Sequence, residues 1–211
     1  MSELFIHTVR NIHAVGRNYV KHIQELGNDM PDEPVVFSKS PATLTNAVKL
    51  CFPPAMNPVH FELELVLRLG ESADAGSGKG LELVSHMALG IDFTARDRQS
   101  HFKEKKLPWH LAKNFRDGCW LGPLTTQFKI HEPFSFQLYQ NGTLRQDGDS
   151  RHMMYDFQKM ITFINRTLPF MEGDLIYSGT PAGVGPVQEG DRLRLVCEAL
   201  QTDLEIEITF G

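Results

Sequence analysis

Cysteine is scarce in this sequence. Cys51, Cys119 and Cys197 are the only three in 211 residues, odd in number, far apart and without C-x-x-C spacing. That argues against a disulfide scaffold and a cysteine-paired zinc site, and fits a reducing compartment. Histidine gives no zinc signature either, since none of the nine forms an H-x-x-x-H pair. No apolar run approaches the roughly 18 residues that span a bilayer. Met1 to Asn11 lacks a basic segment followed by an apolar stretch, so no secretory signal is expected. The cytosol is the simplest location, and a processed mitochondrial form stays compatible with it. Positive charge is also in short supply. A formal net charge of −5 disfavours nucleic acid, which needs a basic surface to neutralise phosphates, but leaves small anions open, because a local cation overrides a weak overall field.

What is present describes a folded chain. The 41% hydrophobic and 22% charged contents lie near globular averages and argue against disorder. No stretch reads as a linker, so residues 1–211 are expected to form one domain. Turn signals are frequent and apolar segments short, which points to many strands and few helices. Strands are expected at Val35–Phe37, Asn46–Phe52 and Val59–Leu69, where Phe61, Leu63, Leu65, Leu67 and Leu69 fall on one face at period two. Phe134–Gln140, Asn141-Gly142 and Thr143–Gln146 read as a hairpin with a type I′ turn. Helices are expected over Asn18–Leu26, Thr94–Lys105 (exposed, from its charge) and Tyr155–Thr167. Gly70–Gly80 is a small polar loop. Glu172-Gly173-Asp174 and Glu189-Gly190-Asp191 repeat one turn chemistry, each opening an apolar strand. The predicted fold class is α+β: β-rich, a folded mixed sheet with a few flanking helices.

Three carboxylates then stand out. In a strand, residues i and i+2 point the same way with Cα atoms about 6.5–7 Å apart, so Glu62 and Glu64 share a face and can share a cation. The commoner reading of E-x-E is a solvated polar face. Asp92 follows the apolar Ala88–Ile91 and precedes the Thr94 helix, where capping is its ordinary role. Residue by residue, these bland readings are the better ones.

Taken together, five segments resemble the fumarylacetoacetate hydrolase superfamily, in particular its short single-domain members that act as acylpyruvases or oxaloacetate decarboxylases. They are Gly16-Arg17-Asn18-Tyr19, Val59-His60-Phe61-Glu62-Leu63-Glu64-Leu65, Gly90-Ile91-Asp92-Phe93-Thr94-Ala95-Arg96-Asp97, Leu107-Pro108-Trp109 with Ala112-Lys113, and Ser178-Gly179-Thr180-Pro181-Ala182-Gly183-Val184-Gly185-Pro186. The resemblance implies a β-rich roll, a homodimer, and a Mg²⁺ or Mn²⁺ site ligated by Glu62, Glu64 and Asp92, a donor set that suits a hard cation. It further implies His22 and Glu25 as a base and its orienting partner, three apart on one helix, and Lys113 as a catalytic lysine. Arg17, Arg96, Gln99 and Thr180 become substrate-positioning residues, although Arg96 suits a structural salt bridge equally well. His13 is a further polar residue beside the first segment, with a structural role the commoner reading. The segment Ser38-Lys39-Ser40-Pro41 departs from the family's lysine–proline pair, which leaves the substrate open.

The implied activity is C–C bond cleavage of an acylpyruvate or decarboxylation of oxaloacetate, both through a pyruvate enolate whose charge a divalent cation offsets. An isomerase or tautomerase of 2-hydroxy-dienoates or oxaloacetate is the alternative on the same scaffold, and a non-catalytic binding protein is another. No partner beyond a small 2-oxo acid and a second copy is expected.

Overall fold

The structure, a computed structural model, describes residues 6–25, 27 and 29–211. Strands and helices are numbered here in chain order. The largest sheet has seven strands in the order β2 (Val35–Lys39), β1 (Ile12–Gly16), β12 (Leu175–Tyr177), β6 (Leu63–Leu69), β7 (Val84–Asp92), β9 (Cys119–Leu121) and β3 (Leu44–Thr45). A five-stranded sheet follows β11 (Thr143–Asp149), β10 (Ser135–Gln140), β14 (Arg192–Cys197), β15 (Thr202–Phe210) and β4 (Lys49–Phe52). A small third sheet joins β13 (Gly185–Pro186), β5 (Val59–Phe61) and β8 (Thr94–Ala95). Parallel and antiparallel pairs are mixed, β1 running parallel to β12 and antiparallel to β2. This is the β-rich α+β class expected from the sequence. Among the described residues, no helix is long and apolar enough to cross a membrane.

The alternating stretch Val59–Leu69 is cut into two strands at Glu62. The even-numbered face, expected to be polar, is buried: Glu62, Glu64, Val66 and Arg68 all lie inside, as do Leu63, Leu65, Leu67 and Leu69. The leucines pack into the main core with Phe61, Phe93 and Met160. Each contributes up to about 1.5–3 kcal/mol on leaving water. Period two told the two faces apart but not that both were covered.

Helices α1 (Val20–Glu25), α2 (Arg96–Glu104) and α4 (Phe157–Asn165) are shorter than the expected spans, and α3 (His110–Lys113) is a short helix that the sequence reading did not expect. Leu26, the expected last residue of α1, lies outside the described residues. Helix α4 starts one residue after Asp156, whose carboxylate accepts from Lys159 N–H at 2.8 Å. Helix α2 is not wholly exposed, because Gln99 turns inward. Strand Asn46–Phe52 shortens to Lys49–Phe52. The hairpin forms as expected, with Asn141 and Gly142 at φ 52° and 80° and Gln140 paired with Thr143. Both Glu-Gly-Asp turns use their aspartate in the same way. Asp174 accepts from the Met171 N–H and Asp191 from the Gln188 N–H, each at 2.8 Å, just before its strand.

Candidate active site

Two chain crossings set the site side by side. At Glu62 the chain passes from the small sheet (β5) into the large one (β6). Beyond Asp92 it passes back, from β7 to β8. The Asp92 N–H donates to the Glu62 carbonyl at 2.9 Å, and β6 pairs with β7 so that Glu64 faces Gly90. Residues thirty apart in sequence are thereby neighbours. Asp92 is not a helix cap; the N-cap position of α2 is Ala95, without a side-chain bond.

Carboxylate oxygens of Glu62, Glu64 and Asp92 lie within 4.8 Å of one another, and all three residues are buried. Burying three carboxylates together is costly, so each needs a compensating partner. Lys113 Nζ supplies three contacts: Glu62 Oε2 at 2.8 Å, Asp92 Oδ2 at 2.6 Å and the Thr94 hydroxyl at 2.7 Å. Arg96 pairs with Glu62 Oε1, the structural salt bridge weighed for it, and also donates to Gln99 Oε1 at 2.8 Å. Lys39 Nζ donates to Asp92 Oδ1 at 2.5 Å and to the Lys113 carbonyl at 2.6 Å. Among the described residues, Glu64 accepts from the Gly179 N–H, at 2.7 Å.

These contacts drive the carboxyl groups apart in acidity. Burial raises the Glu62 carboxyl, but Lys113, Arg96 and His22 outweigh it and hold the group well below the usual carboxylate range. Burial, reinforced by Asp92 and Glu62, pushes Glu64 well above it. For Lys113, burial lowers the ammonium's pKa, yet Asp92 and Glu62 raise it on balance. Such opposed shifts in one buried cluster mark a functional site more often than a structural one.

The cluster floors a cavity of about 40 Å³ that is also lined by Arg17, His22, Gln99, Lys103, Trp109 and Thr180. His22 Nδ1 lies 3.2 Å from Glu25 Oε2, and Glu25 in turn accepts from the Gly183 N–H at 3.0 Å. Burial lowers the His22 pKa below 6.5 despite the neighbouring Glu62 and Glu25. With Glu25 accepting at Nδ1, the neutral ring keeps Nε2 as an acceptor. Arg17, at φ 56°, also donates to the Asp29 carbonyl at 3.2 Å.

Thr180 reaches the cavity, but its hydroxyl already donates to the Leu63 carbonyl at 2.8 Å and accepts from Gln146 Nε2 at 2.7 Å. It docks its loop onto β6. His13 does not join the site. Its ring sits 3.6 Å from Asp174 and edge-on to Phe170, outside the cavity lining.

The sequence reading assigned no role to Lys39, Lys103, Phe37 or Trp109. Lys39 is 2% exposed, which composition alone argues against for a lysine. The only signal was its place in the lysine–serine–proline segment. Lys103 Nζ lies 5.3 Å from the Trp109 ring centroid, and burial, with Arg17 and Arg96 close by, lowers its pKa. Trp109 stood inside a recognised segment without a stated function.

Gly183 is fixed in place by its backbone. At φ 98°, a Cβ there would sit 1.9 Å from the Arg145 carbonyl oxygen. Gly183→Ala is therefore expected to cost about 2–3 kcal/mol, read as a lower urea midpoint, and to loosen Glu25 from the loop.

Residues 11–206 match the family described as fumarylacetoacetate (FAA) hydrolase C-terminal. The chain belongs to this family. The family member is 38% identical over 189 residues to oxaloacetate tautomerase FAHD1, mitochondrial, of Bos taurus, covering 88% of this chain and 86% of that one. It is 34% identical over 209 residues to oxaloacetate decarboxylase, mitochondrial, of Dictyostelium discoideum, covering 97% and 96%. Among solved structures, fumarylpyruvate hydrolase from Pseudomonas aeruginosa in complex with Mn²⁺ and pyruvate superposes with a TM-score of 0.88 at 28% identity, over 96% of this chain and 91% of that one. Both curated relatives are named as mitochondrial, so they lend no support to the cytosolic expectation. The family's enzymatic chemistry at a divalent cation is thus the frame for the site.

Proposed function

We propose that this chain is a divalent-cation-dependent enzyme that generates or discharges the enol form of a small 2-oxo acid, with oxaloacetate as its principal substrate. The observation that carries this reading is the convergence of Glu62, Glu64 and Asp92 on one cavity bordered by the cations of Arg17, Arg96, Lys103 and Lys113. The donor set fits a hard cation, Mg²⁺ or Mn²⁺, because it is all oxygen, buried and anionic. When bound, such a cation supplies Lewis acidity for a 2-oxo group.

The protein's own residues do the rest. Arg17 and Arg96 attract a carboxylate and orient it through planar guanidinium groups. Lys113, held by three contacts, places positive charge beside the oxygen that gains negative charge as the enol forms. Aromatic Phe37 and Trp109 restrict water on one side of the cavity.

A second reading, acylpyruvate hydrolysis, is favoured by the Gly183–Glu25–His22 chain of contacts. His22 Nε2 can take a proton from water as it adds to the distal carbonyl. The acylpyruvate and water then yield a carboxylic acid and pyruvate.

The test is turnover by purified protein of oxaloacetate and of acetylpyruvate, with Mg²⁺, with Mn²⁺ and with EDTA. Conversion of oxaloacetate is expected with either cation and is expected to stop with EDTA. Unchanged rates in EDTA would overturn the reading. In His22→Ala, acetylpyruvate hydrolysis is expected to fall by about 10²–10⁴, while oxaloacetate conversion, which needs no nucleophilic water, persists.

A further inference from the structure

We propose that the groove between edge strand β2 and the Pro108–Lys113 segment is a distal subsite for a neutral, apolar acyl tail on a 2-oxo acid whose head lies over the three carboxylates. This rests on the function proposed above and extends it to the shape of the substrate. The space above the carboxylates is small, about 40 Å³, so the tail of a long substrate extends past its lining.

The adjoining groove, about 360 Å³, lies within the size range of small-molecule sites. Phe37, Trp109 and Lys113 line both spaces, so the two share one wall. That wall is an aromatic pair: the Phe37 and Trp109 rings meet edge-on at 6.2 Å, with Lys113 Nζ 5.0 Å from the Phe37 centroid.

Beyond the wall the groove turns apolar. Val35 and Val36 belong to β2, the outermost strand of its sheet, and Pro108 closes the opposite side. Leu107 and Leu111, flanking that side in sequence, remain 49% and 56% exposed. The charge pattern selects the ligand class. Arg17, Arg96 and Lys103 line the inner cavity and not the groove; the groove's own charged or titratable lining is His110 and Lys113, and Lys113 is already paired with Glu62 and Asp92. A branched alkyl or aryl tail fits; a carboxylate-ended tail does not.

The test is calorimetry on the Mn²⁺-loaded protein with acetylpyruvate, hexanoylpyruvate, benzoylpyruvate and succinylpyruvate, next to the oxaloacetate assay. Hexanoyl- and benzoylpyruvate are expected to bind about tenfold tighter than acetylpyruvate, the gain from burying roughly two methylene equivalents. Succinylpyruvate is expected to show no gain. Val35→Trp, which narrows the groove from a residue outside the inner cavity's lining, is expected to erase the gain and leave acetylpyruvate unchanged. Val35→Lys is expected to transfer the preference to succinylpyruvate. Equal affinities across the series, a gain that survives Val35→Trp, or a change of molecular mass in either variant (a second copy seated on β2) would overturn the subsite. If oxaloacetate is not turned over but the tail dependence holds, the functional reading fails and the subsite stands. If oxaloacetate is turned over and the affinities are flat, the reverse is true.

Discussion

Replacing Glu64 with glutamine is expected to remove tight divalent-cation binding and, in the cation-free protein, to raise the melting temperature at neutral pH. The two effects have one cause. Among the described residues no lysine or arginine forms an ion pair with Glu64, whereas Glu62 and Asp92 each have one or more. Its single strong contact is the Gly179 N–H, and burial, then Asp92 and Glu62, push its carboxyl well above 4.5. A carboxyl whose folded pKa lies above its unfolded one contributes stability that is complete below the unfolded value and is lost as pH rises through the folded one. Cation-free wild type should therefore lose stability as pH climbs from about 4.5 towards that raised value, and Glu64→Gln should lack this part of the slope. Adding Mn²⁺ reverses the order. A bound cation neutralises Glu64 in the wild type, and at a hundredfold excess over Kd adds about 2.7 kcal/mol. Loss of a partner behind a ligand costs about 10–100-fold in metal affinity, so loss of the ligand itself is expected to cost at least about 100-fold. Calorimetric titration with Mn²⁺ and thermal scans with and without EDTA measure both. Unchanged Mn²⁺ affinity in Glu64→Gln would remove Glu64 from the ligand set.

The glutamates were legible as a pair and illegible as a site. Period-two spacing put Glu62 and Glu64 on one face, and the structure keeps them there. Their burial depends on what covers that face: the Ser178–Thr180 loop, which bonds to Glu64 and to Leu63 from more than a hundred residues away. Asp92 joins them through the β6–β7 register, a tertiary fact without a local signal. Only the resemblance of whole segments to a known family supplied it in advance. His22 and Glu25 could be paired from helical spacing alone. That Glu25 is also anchored by Gly183 could not. Lys39 illustrates the opposite failure. Nothing in Phe37-Ser38-Lys39-Ser40 distinguishes it from a surface lysine, and its meaning emerges only where β2 ends against α3, with Asn114 Nδ2 donating to the Ser38 carbonyl at 3.4 Å.

Lys113→Met is expected to produce a protein that a cation can stabilise again but cannot reactivate. All three ammonium donors of Lys113 are engaged, by Glu62, Asp92 and Thr94. Methionine keeps most of the volume and removes the charge, leaving two buried carboxylates short of a partner. Breaking a buried pair from one side costs about 3–5 kcal/mol. The sign with pH follows from Glu62, whose carboxyl Lys113 helps to hold below 4.5. A depressed carboxyl contributes stability above its unfolded pKa that is lost as pH falls through its folded one. The deficit of the variant is therefore largest at neutral pH and shrinks on acidification below about 4.5. Saturating Mn²⁺ places positive charge among the same carboxylates and is expected to recover most of the lost melting temperature. Turnover is a separate matter. A positive charge held beside the oxygen that gains charge as the enol forms is worth about 10²–10³ in kcat, and stability recovered through a cation would still leave that ammonium missing. Recovery of melting temperature by Mn²⁺ with kcat still depressed would place Lys113 at the reacting atoms. Recovery of both together would reduce it to a counter-ion, and the enol-stabilising role would pass to Arg17, Arg96 or Lys103, the remaining cations that line the cavity.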